Sequence, residues 1–220
     1  MLKKIRKLNP THTIRELSDN EFLKYGRLIE NFDFSSMLEK LRASGEIQSQ
    51  TYYVESTTLL ADSHEIDCLS DRFFGGMPTE VGFCLSKNRV LNALEYHKSN
   101  EIMCFDDDVV LMFGVFAELN NNTYEASKLE AFFAPARSAI ELYAGVLHYA
   151  PFSLSDNGFR FIVILPMGTN SALERKPLPS KENEILIMKN KWIICHSEAK
   201  QEINDGVTVG ITGGNIRIKC

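Results

Sequence analysis

Two kinds of apolar pattern divide the chain. From Thr79 onward, apolar residues alternate with polar ones or gather in runs rich in Val, Ile and Phe, broken by Gly, Asn, Asp, Ser or Pro. Such runs mark strands. They predict strands near 80–86, 90–97, 101–104, 108–115, 128–134, 138–144, 147–150, 159–166, 184–188 and 191–196, with fainter ones at 207–211 and 214–219. Before Thr79 the punctuation is helical. Ser18-Asp-Asn-Glu21, Ser36-Met-Leu-Glu39 and Asp62-Ser-His-Glu65 each set a capping side chain three residues ahead of a glutamate, which predicts a short helix at each. The first should carry Phe22 inward and stop at Tyr25-Gly26, with Gly26 left-handed. Arg27 to Glu30 should then run extended.

So many short strands in series, with no helix between them, argue against a parallel α/β sheet and for a mainly β antiparallel sandwich or barrel. One domain is expected over 1–220, with a mostly helical segment, 1–78, packed on a barrel and C-terminal strands, 79–220. Glu118 to Thr123, with three consecutive asparagines, reads as a turn, and Lys176 to Glu184 as a surface loop.

Composition adds exclusions. Of 220 residues, 44% are hydrophobic and 24% charged, which is ordinary for a chain with a real core. A net charge of −5, with Lys3 to Lys7 as the one basic run, argues against a nucleic-acid partner. No apolar run approaches the roughly 18 residues of a membrane span, and no apolar stretch follows the basic N-terminus as in a secretory signal. Cys68, Cys84, Cys104, Cys195 and Cys220 are scattered, without a C-x-x-C pair. They read as free thiols in a reducing cytoplasm.

The chemistry concentrates in the segment from Leu91 to Glu101. Strand period places Glu95 and His97 on one face, Lys98-Ser-Asn100 reverses the chain, and Glu101 starts the return strand. Two carboxylates and an imidazole converge only if that face lines the inside of a barrel. A divalent metal could then hold them, since two bare carboxylates repel until one takes up a proton. His148, in Leu147-His-Tyr-Ala-Pro151, is the fourth candidate ligand. Taken singly, a Glu-x-His pair also suits a solvated face, and a histidine among apolar residues suits a hydrogen-bonded core; joint occurrence favours a site. Glu141 and Tyr143 share a strand face and are candidates for general acid or base. Arg72, between a helix end and a glycine turn, is a candidate clamp for an anionic substrate group. For these three the alternatives are an exposed carboxylate, a rim aromatic and a structural ion pair.

The segment Leu17 to Glu30, Leu94-Glu-Tyr-His97 with Ser99, and Gly145-Val-Leu-His148 before Pro151 resemble the ureidoglycolate lyase branch of the cupins. Over roughly residues 15 to 200 the chain more closely resembles an uncharacterised bacterial cupin-like family. That likeness is carried by Arg72-Phe-Phe-Gly-Gly-Met-Pro78, Leu91-Asn-Ala-Leu-Glu-Tyr-His97, Leu147-His-Tyr-Ala-Pro151, Leu165-Pro-Met-Gly-Thr-Asn170 and Asn190-Lys-Trp192. The resemblance implies a cupin-type jelly roll with short N-terminal helices and a metal held by Glu95, His97, Glu101 and His148.

Three positions depart from the cupin pattern. Glu95 stands where cupins place the first of two histidines, Glu101 where the lyases have glutamine, and Arg137 where the second motif has glycine after its proline. The oxygen-rich set favours Mn²⁺, Fe²⁺ or Mg²⁺ over Zn²⁺, and either Glu95 or Glu141 could complete it. The implied activity is that of a metal-dependent isomerase or epimerase on a small sugar, sugar phosphate or sugar acid, with Glu141 as base. A lyase on a hydroxy or ureido acid and a non-catalytic sugar-binding module are the alternatives. Pairing into a homodimer through strand edges is expected by analogy.

Overall fold

The computed structural model describes residues 1–47 and 51–220. Eight of the ten strands between Thr79 and Pro166 build two facing sheets: Thr79–Ser86, Ala93–Tyr96, Glu101–Phe105, Val109–Val115, Glu130–Ala134, Ala139–Leu142, Val146–Leu147 and Phe159–Pro166; of the other two, Phe152–Ser153 adds a short pairing to Val109–Val115. The first, eighth, third and sixth pair side by side in one sheet. The second, seventh, fourth and fifth pair in the other, where the second and seventh meet through Glu95 and His148. Interleaving of this kind is the layout of jelly rolls, the class that contains the cupins. The mainly β expectation therefore holds, on topology alone.

Both sheets are buried on both faces, which explains why the strands read as near-continuous apolar runs. Between the sheets, Met103, Phe105, Phe161 and Val163 meet Leu111, Phe113 and Phe132. Outside the first sheet, Ile102, Cys104, Ile162 and Ile164 pack on Met37, Leu41, Leu69 and Phe74, supplied by the helices Ser35–Arg42 and Ser63–Phe74. Outside the second sheet, Val110 and Met112 meet Leu94, Tyr96 and Trp192. Lys191–His196 extends this sheet beyond Ala93–Tyr96 and also pairs with Leu186–Met188 and Thr208–Thr212.

Several expectations change. Pairing is not wholly antiparallel, because Ile14–Glu16 runs parallel to Glu130–Ala134, and Thr208–Thr212 parallel to Lys191–His196 and Tyr124–Glu125. These partners are joined by long connections, so no hairpin dictates their direction. The segment before Thr79 is less helical than predicted. It also supplies the strand Gly26–Leu28, where an extended piece was expected from Arg27, and the strands Ile14–Glu16 and Tyr52–Val54, whose three residues are too few for a period of two to show. Residues 214–219 contribute only a bridge between Val90 and Arg217.

The three capping signals fare differently. Asp62 and Glu65 form the full box, Glu65 N donating to Asp62 Oδ1 at 2.9 Å and Asp62 N to Glu65 Oε2 at 2.8 Å. Ser36 lies inside its helix, and Asp33 Oδ1 accepts Ser35 N instead. Asp19 turns backward to accept Glu16 N at 2.9 Å, leaving only a 3₁₀ turn, Asn20–Lys24. Gly26 is not left-handed; it opens a strand, and a Cβ there would sit 2.2 Å from the Glu141 carbonyl oxygen. Arg137, in the place of the cupin glycine, does have a left-handed φ of 68°, as do Asn121 and Asn122 in the asparagine turn. Among the described residues no helix is long and apolar enough to cross a membrane.

Gly26→Ala should force Gly26–Leu28 off its neighbour and cost about 1–3 kcal/mol in urea unfolding. Gly214→Ala, whose Cβ meets nothing, should stay within about 0.5 kcal/mol of the parent.

Candidate metal centre

The second jelly-roll strand and the seventh carry the first half of the site. Glu95 and His148 exchange both main-chain hydrogen bonds, at 2.7 and 2.9 Å, so their side chains leave on the same face. His97, two residues beyond Glu95, shares it. That face looks between the sheets. Across the gap, Glu101 precedes Met103 and Phe105 on the inward face of its strand. The turn 98–100 joins the two halves and is tied down by Asn190. Its Oδ1 accepts Lys98 N at 2.8 Å and its Nδ2 donates to Ser99 Oγ at 2.8 Å.

Glu101 Oε2 lies 2.9 Å from His148 Nε2 and 3.3 Å from His97 Nε2. Each imidazole is held from behind, His97 Nδ1–H donating to the Asn190 carbonyl at 2.6 Å and His148 Nδ1–H to the Val146 carbonyl at 3.0 Å. Both rings therefore turn Nε2 toward the same carboxylate oxygen, the orientation that outer partners impose on metal-binding histidines. Ligand atoms of Glu95, His97 and His148 lie within 4.8 Å of one another and could hold a metal ion. Glu95 also forms an ion pair with Lys191.

All four side chains face a cavity of about 110 Å³. Met103, Phe161, Val163 and Leu165 make its apolar wall, while Tyr53, Tyr149, Asn170 and Lys191 add polar groups. It opens past Thr51, Tyr53 and Tyr149, which it shares with an outer groove of about 760 Å³. Burial alone would raise the Glu101 carboxyl, but His148 and then His97 hold it well below the usual carboxylate range. Burial would lower His148, yet Glu101, chiefly, pushes it up to about 9. For Glu95 burial again acts upward, and Lys191 with the two imidazoles brings it below its ordinary value. Tyr53 and Tyr149 are raised by burial and by the nearby carboxylates, so both keep their protons.

Three predicted site residues stand elsewhere. Glu141 faces away because Ile140 and Leu142 take the inward side of its short strand. Its carboxylate accepts Arg27 Nε at 2.7 Å and Asn100 Nδ2 at 2.7 Å, which braces the 98–100 turn from outside. Tyr143 is 38% exposed, in the turn after that strand. Arg72, on the outer helix, stacks on Phe73 and borders a surface groove with Arg27 and Glu30. Sequence reasoning missed Asn190, Lys191, Tyr53 and Asn170. Two signals were present: Asn190-Lys-Trp192 and Thr169-Asn170 both lie in motifs that carry the family resemblance.

The family described as "Domain of unknown function (DUF4867)" matches residues 14–216. No curated protein matches the chain. Among solved structures, oxalate decarboxylase from Bacillus subtilis is similar, both as a point variant and at pH 4.6. Each shows 12% identity and a TM-score of 0.33, over 57% of this chain and 28% of that one. A further match is to the same enzyme, which has Mn(II) centres. The match spans less than a third of the decarboxylase, and a likeness that slight says nothing of this chain's reaction.

The pair of shifts sets a pH window for the metal-free protein. Glu101, depressed in the fold, contributes stability above its ordinary 4.5, lost as pH falls below it. His148, raised from 6.5 to about 9, contributes below 6.5, and that is lost as pH rises through 9. Denaturant unfolding should show stability falling by on the order of 3 kcal/mol across that upper range. Glu101→Gln should flatten the fall, and its His148 ring should titrate well below the parent's by NMR.

Proposed function

The chain belongs to the DUF4867 family of domains of unknown function, and from its site we propose that it is a metal-dependent isomerase or epimerase of a small sugar or sugar acid. One observation carries the reading: two imidazoles, each anchored through Nδ1 to a main-chain carbonyl, present Nε2 to one buried carboxylate oxygen. The donor set fits a divalent ion. Ligands at about 2.1 Å from such an ion stand about 3 Å apart when adjacent, and the Nε2–Oε2 separations are 2.9 and 3.3 Å. We assign His97, His148 and Glu101 to hold the ion, with Glu95 as the further carboxylate against it. The oxygen-rich set favours Mn²⁺, Fe²⁺ or Mg²⁺.

A divalent ion held by these residues would supply Lewis acidity toward a substrate carbonyl or hydroxyl, which would acidify the neighbouring C–H. The remaining work falls to the chain. Glu101, whose Oε2 faces both Nε2 atoms, would serve as a ligand beside the two imidazoles. Glu95 is bound by Lys191 rather than by a ring, so it is the carboxylate free to accept the proton, the part expected of Glu141. Lys191 positions Glu95, and Tyr53, protonated, can donate to a substrate oxygen, whereas the Tyr149 hydroxyl donates to Glu202 at 3.5 Å. The apolar wall keeps bulk water from the transferred proton.

The small cavity also suits a short hydroxy or ureido acid. A lyase is therefore the second reading, to which the sequence resemblance to the ureidoglycolate lyase branch also leads. Two product fragments mark a lyase and one product an isomerase.

Purified protein supplied with Mn²⁺ should hold stoichiometric metal by elemental analysis, and His97→Ala and His148→Ala should each weaken retention at least about tenfold. With sugars and sugar acids in deuterated water, one substrate C–H should exchange. Glu95→Gln should slow that exchange by about 10²–10⁴. Metal-loaded protein with no exchange across the panel would exclude the isomerase.

A further inference from the structure

The cavity that holds the metal group also carries a polar pair, Tyr53 with Asn170, and the reading above gives Asn170 no part. Asn170 is 5% exposed, lines the cavity, and donates through Nδ2 to the Tyr53 hydroxyl at 2.8 Å. Its Oδ1 is buried and has no hydrogen-bond partner among the described residues. Buried amide oxygens are nearly always paired, so an unpaired one in a cavity wall points to a ligand. Tyr53, having accepted from Asn170, keeps its own O–H to donate. The pair thus offers one acceptor and one donor side by side. Turning the amide over exchanges the two roles and leaves one of each.

The position is held with some care. Asn170 has a left-handed φ of 66°, a conformation that asparagine tolerates better than most residues. Its N–H donates to the Lys189 carbonyl at 3.0 Å. The neighbouring Thr169 Oγ1 accepts Asn190 Nδ2 at 3.2 Å, and Asn190 is the residue whose carbonyl orients His97. The orphan oxygen and the imidazole are therefore registered to one another through two residues.

We propose that Asn170 and Tyr53 form a hydroxyl-recognition pair, which selects a short polyhydroxy acid or small sugar over its deoxy counterpart. A hydroxyl group both donates and accepts, which matches the two free functions of the pair. A methyl or methylene in the same place would leave both unpaired, and sites built to bond a hydroxyl reject its absence strongly. The cavity volume of about 110 Å³ restricts what reaches the pair to a few heavy atoms, with the outer groove available to the rest of a longer substrate. The proposal rests on the metal reading for the orientation of the substrate, while the selectivity belongs to this wall.

The test compares glycerate with lactate, which differ by one hydroxyl, together with N-carbamoylglycine, which offers a ureido group and no hydroxyl. Binding to the full-length protein is measured by calorimetry with and without Mn²⁺, and metal content is read in parallel. Glycerate is expected to bind at least about tenfold more tightly than lactate. Asn170→Gly, which keeps the left-handed backbone, and Tyr53→Phe should each remove most of that difference without changing metal content. Equal binding of glycerate and lactate overturns the proposal while leaving the metal centre intact. Tighter binding of N-carbamoylglycine than of glycerate, lost in Asn170→Gly, overturns the hydroxyl assignment in favour of an amide. Protein that holds no metal yet discriminates glycerate from lactate overturns the metal reading alone.

Discussion

The structure depends on a carboxylate placed where a carboxylate does not belong. Glu101 is 4% exposed, between two sheets of apolar side chains. Burying an ionised carboxylate costs several kcal/mol unless partners replace its water. Two imidazoles do so here, and each needs a partner of its own. The Val146 carbonyl serves His148 and the Asn190 carbonyl serves His97. The need passes outward, since Asn190 reaches Ser99 and Thr169, and Glu141 braces Asn100 from the far side of the sheet. One inward charge thus organises the 98–100 turn, the loop after Phe159–Pro166 and the end of Lys191–His196.

A divalent ion fits the same balance of charge. Glu95 and Glu101 bring two negative charges into the interior, and Lys191 with a protonated His148 balances them when no ion is bound. An ion between the ligands can take over the part of the His148 proton, because both neutralise Glu101. The lysine then remains to position Glu95. A site that binds substrate beside an ion needs charge that can be rearranged in this way, and an all-apolar jelly-roll interior would supply none.

The fold was legible wherever the signal was local. The Asp62 box lies within four residues and forms as read, whereas after Ser18 only a 3₁₀ turn forms, with Asp19 before it accepting Glu16 N instead of capping it. The strand pattern after Thr79 was legible because most strands there are long enough for runs to show. The relation of Glu95 to His97 followed from strand period alone, and their convergence with Glu101 needed a barrel to be assumed. Glu141 was misplaced for an instructive reason. With both faces of its sheet buried, alternation shows that Glu141 opposes Ile140 and Leu142, but not which side is the inside. The motifs around Asn190, Lys191 and Asn170 were visible but the parts of these residues were not, because those come from tertiary contacts, such as the bond between Asn190 and His97, which are 93 residues apart in sequence. No local period records such contacts.

A metal ion at this site would take the place of the Nε2 proton through which His148 bonds Glu101. Calorimetric titration with Mn²⁺ near neutral pH, repeated in buffers of different ionisation enthalpy, measures the protons released as the ion binds. Release of about one proton per ion is expected, because His148, pushed up to about 9, must lose its Nε2 proton to become a ligand. Binding without proton release, or no binding by the wild-type protein, would contradict it.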